Sequence, residues 1–431
     1  MARFQAGEPN GVAVQQLEVL VRTALFKPAN ALIGFLLQQA AERADGAYQP
    51  KQGDHWKGRL PLDVQGMFGH FQIWRDYYYN GKSQGYHPAD TALGLEGAYT
   101  PALARLMCLE GAEEESFDQA EAHLRETGGI GVAARQIHRV VQRVGPAAVA
   151  WQARDSQPAT EPVPVMYVSA DGTGVPMRPA ELVGRQGKQP DGTAKTRLAY
   201  LGCVFTQHGR DAQGHPLRDY QSTTYVVSFD TSEAFGLLLR REALRRGSAK
   251  AQQLVLLVDG AASLETVGRL NFPGAIQIVD FYHAMEHVGA VLEALWGKDH
   301  PATKKQRGKW AKLLLQDGVE KMIGQARQLA GAPPCRAKVE QALGYFVRNV
   351  ARMQYGTFRQ RGYFIGSGVI EAGCKTVIGM RCKQSGMRWS EPGAENILTF
   401  RCLKHSHRLD SFWKERLNQH AARNDALPLA A

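Results

Sequence analysis

Two short apolar runs, each followed directly by an aspartate, constrain the fold of this chain most strongly. Leu254–Val258 precedes Asp259, and Ala275–Val279 precedes Asp280. Such runs are shorter than typical helices and carry no polar face, so they predict buried strands of a sheet. In open α/β sheets ligands bind at the ends of strands, so Asp259 lies where a functional carboxylate is expected.

A third apolar stretch, Val165–Ser169, predicts another short strand, which ends at Asp171. Asp171 and Asp259 are both followed by glycine, so an Asp-Gly turn is the alternative interpretation for either residue alone. Carboxylates that share a half-buried site repel one another unless a cation neutralises them. Oxygen ligands of this kind select Mg²⁺, and two such ions clamp the attacking and leaving oxygens of an in-line phosphoryl displacement.

Glu371 is the third acid with a conspicuous position. It follows Gly366-Ser367-Gly368, and we expect Ser367 to cap a helix that carries Glu371 in its first turns. The apolar pairs Val369-Ile370 and Val377-Ile378 predict that this helix is well buried. Burial favours a metal-binding role over the alternative, a surface ion pair with Lys375 one turn further on.

A competing pattern occurs at the helix predicted to follow Asp280. His283, Glu286 and His287 spell H-x-x-E-H, the inverted zinc-protease motif, but the sequence offers no separate third ligand. Asp280 and His283 are three residues apart, so a carboxylate at the strand end and a histidine one helical turn later can pair. We therefore predict a structural role for Asp280 and His283 beside the metal pocket.

Positive charge is concentrated in one segment. The chain has a formal net charge of +11, and residues 301–362 hold 13 lysines and arginines against three acids, a net charge of +10. Each lysine or arginine that contacts a phosphate releases condensed counterions. A concentration of these residues is therefore what a nucleic-acid-binding surface needs. We predict that DNA contacts this segment through Lys304, Lys305, Arg307 and Lys309.

A helical block precedes the first predicted strand. Pro101–Leu109 predicts one helix, Ser116 can cap a second, and Val132–Val144 predicts a third that follows a glycine turn. Helix, turn and basic helix resemble a helix-turn-helix, with Arg135, Arg139 and Arg143 as the candidate DNA contacts. An ordinary pair of antiparallel helices is the alternative.

Several classes of protein are disfavoured. The six cysteines form no C-x-x-C pair, which argues against a disulfide framework and a cysteine zinc site. No uninterrupted apolar run reaches the roughly 20 residues of a membrane span, and the N-terminus lacks an apolar signal core. We expect a cytoplasmic protein with no membrane partner.

The motifs together resemble the Kra-type bacterial insertion-sequence transposases, relatives of the mutator-like DDE transposases. The resemblance runs from about residue 60 to about residue 415. It is carried by Asp171-Gly172-Thr173-Gly174-Val175, Val258-Asp259-Gly260-Ala261, Asp280-Phe281-Tyr282-His283-Ala284, Gly366-Ser367-Gly368-Val369-Ile370-Glu371 and Arg381-Cys382-Lys383-Gln384-Ser385-Gly386-Met387-Arg388-Trp389.

This resemblance implies that Asp171, Asp259 and Glu371 are the catalytic and metal-binding triad, holding two Mg²⁺ ions that Mn²⁺ can replace. Asp280 and His283 match the family's C/D-x-x-H signature. Lys375, Arg381, Lys383 and Arg388 lie in the last two motifs and are further candidate DNA contacts. One departure is visible: 79–86 has no cysteines where the family often has a zinc knuckle.

The expected fold is a multidomain α+β protein with an RNase H-like α/β catalytic core. We predict an N-terminal helical and β-hairpin region over 1–100 and a helix-turn-helix-like block over 101–160. The core would comprise 161–300 and 363–409, interrupted by the basic all-α insertion 301–362 and followed by a tail, 410–431.

The predicted function is DNA transposition: metal-dependent cleavage at transposon ends, then strand transfer into target DNA. The expected partners are terminal inverted repeats, target DNA and further copies of the chain. Two alternatives stay open, a non-catalytic DNA-binding regulator derived from a transposase and a zinc hydrolase built on His283, Glu286 and His287.

Overall fold

The computed structural model describes residues 11–81, 85–154, 159, 161–187, 189–331 and 333–425. The chain divides into two compact units, unit 1 (Met1–Ala147 with Arg408–Ala431) and unit 2 (Ala148–His407). The boundary predicted at residue 160 and the end of the predicted tail, 426–431, lie outside the described residues.

Unit 1 is built around a long helix and a β-hairpin. Helix α1 spans Gly11–Ala47, and the predicted hairpin consists of β1 (His55–Gly66) and β2 (Gly69–Tyr79), antiparallel and joined by a tight turn. Buried Val64 and Ile73 of the hairpin pack with Leu37 of α1, which holds the two elements together. The other helices are α2 (Pro88–Ala92), α3 (Pro101–Glu113), α4 (Phe117–His123), α5 (Ala134–Gln152, whose end belongs to unit 2) and α16 (Leu409–Asp425).

The helical block has the predicted start and stop signals. The Ser116 hydroxyl accepts a hydrogen bond from the Gln119 N–H at the start of α4. A π-helical turn, Leu124–Gly128, extends α4, and Gly129 ends it in the left-handed conformation (φ 66°) that glycine adopts without cost. The third helix, α5, passes the predicted end at Val144 and continues through Pro146 to Gln152.

The sequence predicts no segment long and apolar enough to span a membrane, but helix α1 contains a candidate. Its stretch Val14–Ala47 is long and apolar enough, by length and composition only, to cross a membrane. Polar residues interrupt its apolar runs, which is why the sequence shows no continuous stretch. Core helices of soluble proteins and signal sequences meet the same criterion, so the membrane expectation remains a prediction.

Unit 2 contains a six-stranded mixed sheet. Its order is β5-β4-β3-β7-β8, with β6 also pairing β4. The central strand β3 is antiparallel to β4 and parallel to β7, which is in turn parallel to β8. The strands are β3 (Val165–Pro176), β4 (Thr196–Arg210), β5 (Pro216–Arg218), β6 (Thr224–Ser228), β7 (Gln253–Val258) and β8 (Ile276–Val279).

Helices cover the sheet and form the basic segment. One face of the sheet, with Ala170 and Val258, packs against Phe235 of α6 and Leu264 of α7. The described residues of the basic segment 301–362 contain helices and no strand. The helices are α6 (Ser232–Arg245), α7 (Ala262–Asn271), α8 (Phe281–Trp296), α9 (Ala302–Leu314), α10 (Val319–Leu329), α11 (Pro333–Asn349), α12 (Tyr355–Gln360), α13 (Gly368–Gly373), α14 (Met380–Cys382) and α15 (Glu391–His405).

Candidate functional site

Three aspartates lie at the same level of three neighbouring parallel strands, Asp171 within β3 and Asp259 and Asp280 directly after β7 and β8. Ala170 of β3 pairs with Val258 of β7, and Val258 pairs with Val279 of β8. The next residue along each strand is an acid: Asp171, Asp259 and Asp280. Successive residues of a strand point to opposite faces, and Ala170 packs in the α6–α7 core, so Asp171 lies on the opposite face of the sheet.

The prediction that Asp171 ends its strand is wrong. β3 continues to Pro176, and each residue from Val165 to Pro176 pairs with β4. The residues after Asp171 stay in the sheet because β4 is long enough to pair them, even though β7 ends opposite Ala170. Asp171 therefore lies on a strand held by β4, at the level where its parallel neighbour stops.

Glu371 lies on a helix with an irregular middle. α13 passes into a π-helical turn, Cys374–Gly379, and then into α14. π-Helical turns inside helices are rare and occur frequently at functional sites. Ser367 is the N-cap residue of this helix, as predicted, but its hydroxyl makes no cap hydrogen bond and instead donates to Glu371 Oε1 over 3.0 Å. The Ser367 side chain therefore orients the Glu371 carboxylate.

The π-helical turn brings this helix close to Asp171. The Cys374 thiol, about one turn after Glu371, lies near the Asp171 carboxylate, and burial together with the charge of that carboxylate raises the pKa of the thiol. A β-carbon on Gly373 would lie 2.7 Å from Cε1 of Tyr225 and 3.2 Å from Cδ2 of Leu201, the residue that pairs with Asp171. Glycine at this position permits the approach.

Asp280 and His283 interact through the His283 backbone and not through the predicted pairing of their side chains. Asp280 is fully buried and accepts hydrogen bonds from the backbone N–H groups of His283 and Ser367. The His283 ring does not make the predicted hydrogen bond, since its Nδ1 lies 3.9 Å from Asp280 Oδ1. Asp280 instead caps α8 and anchors the segment before Glu371. Among the described residues, ligand atoms of Asp280, His283 and Glu371 lie within 4.8 Å of one another.

The basic insertion reaches Asp259, which the sequence did not indicate. The Tyr345 hydroxyl of α11 donates to the Asp259 backbone carbonyl over 2.8 Å. The Tyr345 ring stacks on His287, with centroids 3.6 Å apart. Burial, with the charges of Asp259 and Asp280, raises the pKa of Tyr345, so its hydroxyl remains a donor. Tyr345 carried no sequence signal because aromatic residues at helical spacing usually mark a core.

The histidines of the H-x-x-E-H motif have separate surroundings. His287 stacks on Tyr345, and burial with the charge of His283 lowers its pKa. Within the described part of the chain, the possible metal-binding group that contains His283 includes Asp280 and Glu371 rather than His287. This arrangement does not favour the zinc-hydrolase alternative.

The candidate DNA contacts are mostly exposed. Lys304, Lys305, Arg307 and Lys309 of α9 all face solvent, as do Lys375, Lys383 and Arg388. Lys383 Nζ donates to the Thr173 hydroxyl, two residues after Asp171. In unit 1, Arg135, Arg139 and Arg143 are exposed at successive turns of α5. A phosphate could approach any of these side chains.

The prediction that Arg381 contacts DNA does not agree with its position in the structure. Its side chain is 1% exposed, its guanidinium lies 5.0 Å from the Trp389 ring centroid, and burial lowers its pKa to about 10. The Trp389 N–H donates to the carbonyl of Pro176, the last residue of β3, and the Trp389 carbonyl accepts from the Arg178 N–H. Arg381 therefore holds the loop 383–389 against β3, and it cannot contact a phosphate.

The residues present fit a hard divalent cation. Asp171 Oδ1 accepts the Gly172 N–H over 2.7 Å, and Asp259 Oδ1 accepts the Ala261 N–H over 2.8 Å, so each carboxylate is oriented by local backbone. Both are half-buried, where like charges repel and a cation is favourable. Carboxylate oxygens are the ligands that Mg²⁺ prefers.

The approach of α13 to the sheet is testable. Gly373→Ala places a methyl group against Tyr225, so we expect it to lower the free energy of unfolding by about 1–3 kcal/mol and to shift Glu371. Gly368→Ala in the same helix is the matched control, since a β-carbon there meets nothing within 4 Å and should not destabilise. Chemical denaturation measures both; equal stability of the two variants would contradict the close contact.

Comparison with known proteins gives little guidance. No family model matches the chain, and no curated protein matches it. Among the solved structures, one match is "Drosophila P element transposase strand transfer complex", at 11% sequence identity and a TM-score of 0.26, covering 74% of this chain and 80% of that chain. At that TM-score the likeness carries no argument about fold, activity or partner, so any assignment must rest on the residues of the site.

Proposed function

We propose that this chain is a DNA transposase of the DDE type, with Asp171, Asp259 and Glu371 as its catalytic acids. The observation that carries the proposal is the level placement of Asp171 and Asp259 on neighbouring parallel strands. The Glu371 helix contributes to the same place through Cys374, which contacts Asp171. The motifs shared with the Kra-type transposases support the same assignment.

We further propose that unit 2 has an RNase H-like core. Three observations support this: β3 is central, β4 is antiparallel to it and is itself paired antiparallel with β5 and β6, and β7 and β8 run parallel to β3 on the other side. One acid, Asp171, lies within the central strand, and another, Asp259, directly follows its parallel neighbour β7, which places both where a metal for phosphoryl transfer could bind. The helical segment 302–360 separates β8 and α8 from the Glu371 helix.

The chemistry proposed is in-line displacement at phosphorus. Two Mg²⁺ ions held by Asp171, Asp259 and Glu371 would supply charge neutralisation for the attacking and leaving oxygens. Ser367 and local backbone N–H groups fix the directions of these carboxylates. Tyr345 fixes the backbone at Asp259, and Lys383 is exposed beside β3, where it can hold a phosphate of the bound strand. Strand transfer would repeat the same displacement with a DNA 3′-hydroxyl as the nucleophile.

The basic face of α9 is the proposed DNA surface. Replacing Lys304, Lys305, Arg307 and Lys309 with alanine should weaken binding to all DNA sequences and lower the log–log salt slope by roughly 3–4 units. Alanines at exposed Arg240 and Lys250, which lie on and after α6, are the control and should leave the slope unchanged. Fluorescence anisotropy across a salt series measures both, and a quadruple variant with the parental slope would contradict the assignment.

A plasmid-nicking assay tests the function. The purified chain is incubated with supercoiled plasmid carrying the DNA that flanks its gene, in Mg²⁺, Mn²⁺ or EDTA. We expect strand breaks with 3′-hydroxyl ends at the flanks in Mg²⁺ and Mn²⁺ and none in EDTA. DNA binding without nicking in either metal would favour the non-catalytic regulator, and activity only with Zn²⁺ would favour the hydrolase.

A further inference from the structure

The first half of α1 exposes apolar side chains to solvent. Val12, Val19 and Leu20 are each about 60% exposed, and residues 11, 12 and 14–25 face solvent except for half-buried Leu17. Isolated exposed apolar residues are ordinary on a protein surface, but a contiguous set marks an interaction site. This segment therefore needs a covering surface.

Five other exposed residues form a stripe along one side of the helix. Val14, Val21, Leu25, Leu32 and Leu36 are between 43% and 63% exposed. At 3.6 residues per turn they fall within an arc of roughly 60°, along about 33 Å of helix. Phe35, 59% exposed, flanks the stripe. A continuous apolar line of this kind suits a second helix lying alongside.

The stripe lies on the side of α1 that faces away from the hairpin. Asn30 Nδ2 donates to the His70 carbonyl over 2.7 Å, and Gln38 exchanges hydrogen bonds with the Trp74 backbone. These residues, with Phe26 against Phe68, project about half a turn from the stripe. Unit 1 covers one face of α1 and leaves the other uncovered.

An apolar groove borders the second half of the stripe. Its volume is about 600 Å³, and Leu36, Leu37, Met67, Phe68, Pro101 and Leu417 are among the residues that line it. Leu36 belongs to both the stripe and the groove. An apolar segment that follows the stripe therefore reaches the groove at this end.

We propose that α1 is a dimerisation helix that pairs antiparallel with α1 of a second copy of this chain. Leu25 is the midpoint between Val14 and Leu36 and is the most exposed residue of the stripe. A twofold axis at Leu25 places the free half of each helix along the Leu32–Leu36 half of the other, with its start beside the groove. The same surface serves both copies, as an isologous interface requires.

The area is sufficient for such an interface. Six large apolar side chains on or beside the stripe are exposed by 43–63%. At about 60–120 Å² for a fully buried aliphatic side chain, two copies would bury roughly 400–750 Å² from these side chains alone. Backbone, flanking residues and the groove supply the remainder of the roughly 1,200 Å² that a specific interface needs.

A lipid bilayer fits this helix less well. Glu18, Arg22 and Lys27 lie within the stretch that would have to cross, and charges at membrane depth are costly. Arg22 donates to the Thr127 carbonyl, and the hairpin occupies the opposite face of α1. A helix with one face packed on its own domain can cover its other face with protein while the polar contacts stay intact.

The full-length chain tests the proposal by sedimentation velocity without DNA. We expect a dimer, with the dissociation constant raised more than 100-fold by Leu25→Glu combined with Leu32→Glu. Val183→Glu with Leu329→Glu, two exposed apolar residues of unit 2, is the matched control and should leave the dimer intact. Circular dichroism melts establish that all variants are folded.

Cysteine cross-linking tests the orientation, with linked peptides identified by mass spectrometry. Leu25→Cys should cross-link to itself, Val14→Cys should not, and a mixture of Val14→Cys and Leu36→Cys chains should cross-link to each other. A monomeric parent, a dimer that survives Leu25→Glu with Leu32→Glu, or self-linked Val14→Cys would overturn the proposal. So would flotation of the chain with phosphatidylcholine–phosphatidylglycerol vesicles that Leu25→Glu abolishes. None of these outcomes depends on nuclease activity.

Discussion

Asp171→Asn, Asp259→Asn and Glu371→Gln should each lower the rate of Mg²⁺-dependent nicking by about 1,000-fold. Each change removes one charged metal ligand, and metal stabilisation of a phosphoryl-transfer transition state is worth several kcal/mol, with roughly 1.4 kcal/mol for each factor of ten. Single-turnover nicking rates measure the loss. DNA affinity should change little, because the lysines and arginines proposed to bind the phosphates lie outside the triad.

The matched control for the triad is Asp191→Asn. Asp191 is an exposed carboxylate in the same unit, hydrogen bonded to Thr193 in a loop. This variant should keep the parental nicking rate. A triad variant that retains more than a tenth of the parental rate would remove that residue from the catalytic set.

Asp280→Ala should destabilise unit 2 by about 3 kcal/mol. The Asp280 carboxylate is fully buried and accepts the backbone N–H groups of His283 and Ser367. Alanine leaves both donors buried without an acceptor, at a cost of about 1–3 kcal/mol each. Asp280→Asn keeps one acceptor oxygen and should lose roughly half as much. Chemical denaturation monitored by fluorescence measures the difference.

Asp191→Ala is again the comparison, because its carboxylate also accepts a backbone N–H but is exposed. Water replaces the lost acceptor there, so we expect a change below about 1 kcal/mol. If Asp280→Ala were as stable as Asp191→Ala, the capping role of Asp280 would be wrong. Asp280 would then be better assigned to the metal group with His283 and Glu371.

The sequence predicts the parallel strands well because their signal is local. Leu254–Val258 and Ala275–Val279 are apolar at nearly every position, and an acid follows each. Buried parallel strands need apolar residues on both faces, so this pattern has few alternatives. The same logic fails at Asp171, because strand pairing with β4, which is set by tertiary structure, continues β3 beyond its apolar start.

Side-chain roles were harder to predict. Ser367 has the position of a helix cap but donates to Glu371, and Arg381 lies in a basic motif but is buried on Trp389. Both outcomes depend on which neighbours lie across the fold. Tyr345 contacts Asp259 from 86 residues away, a separation that no local pattern reports.

The exposed stripe of α1 could not be predicted from the sequence, although the helix itself could. Its apolar residues were predicted to be helical, and they are, but helical periodicity does not say which face its own domain covers. The two faces of α1 differ little in hydrophobicity, because both carry apolar residues: one face packs on the hairpin and the other is exposed. Only the structure separates the two faces.

The location of bound Mn²⁺ tests the central assignment most directly. Anomalous diffraction from crystals of the full chain grown with Mn²⁺ places the ions independently of any activity. We expect peaks between the Asp171 and Asp259 carboxylates, with Glu371 as a further ligand. Ions bound only by Asp280, His283 and Glu371, with Asp171 and Asp259 unliganded, would contradict it.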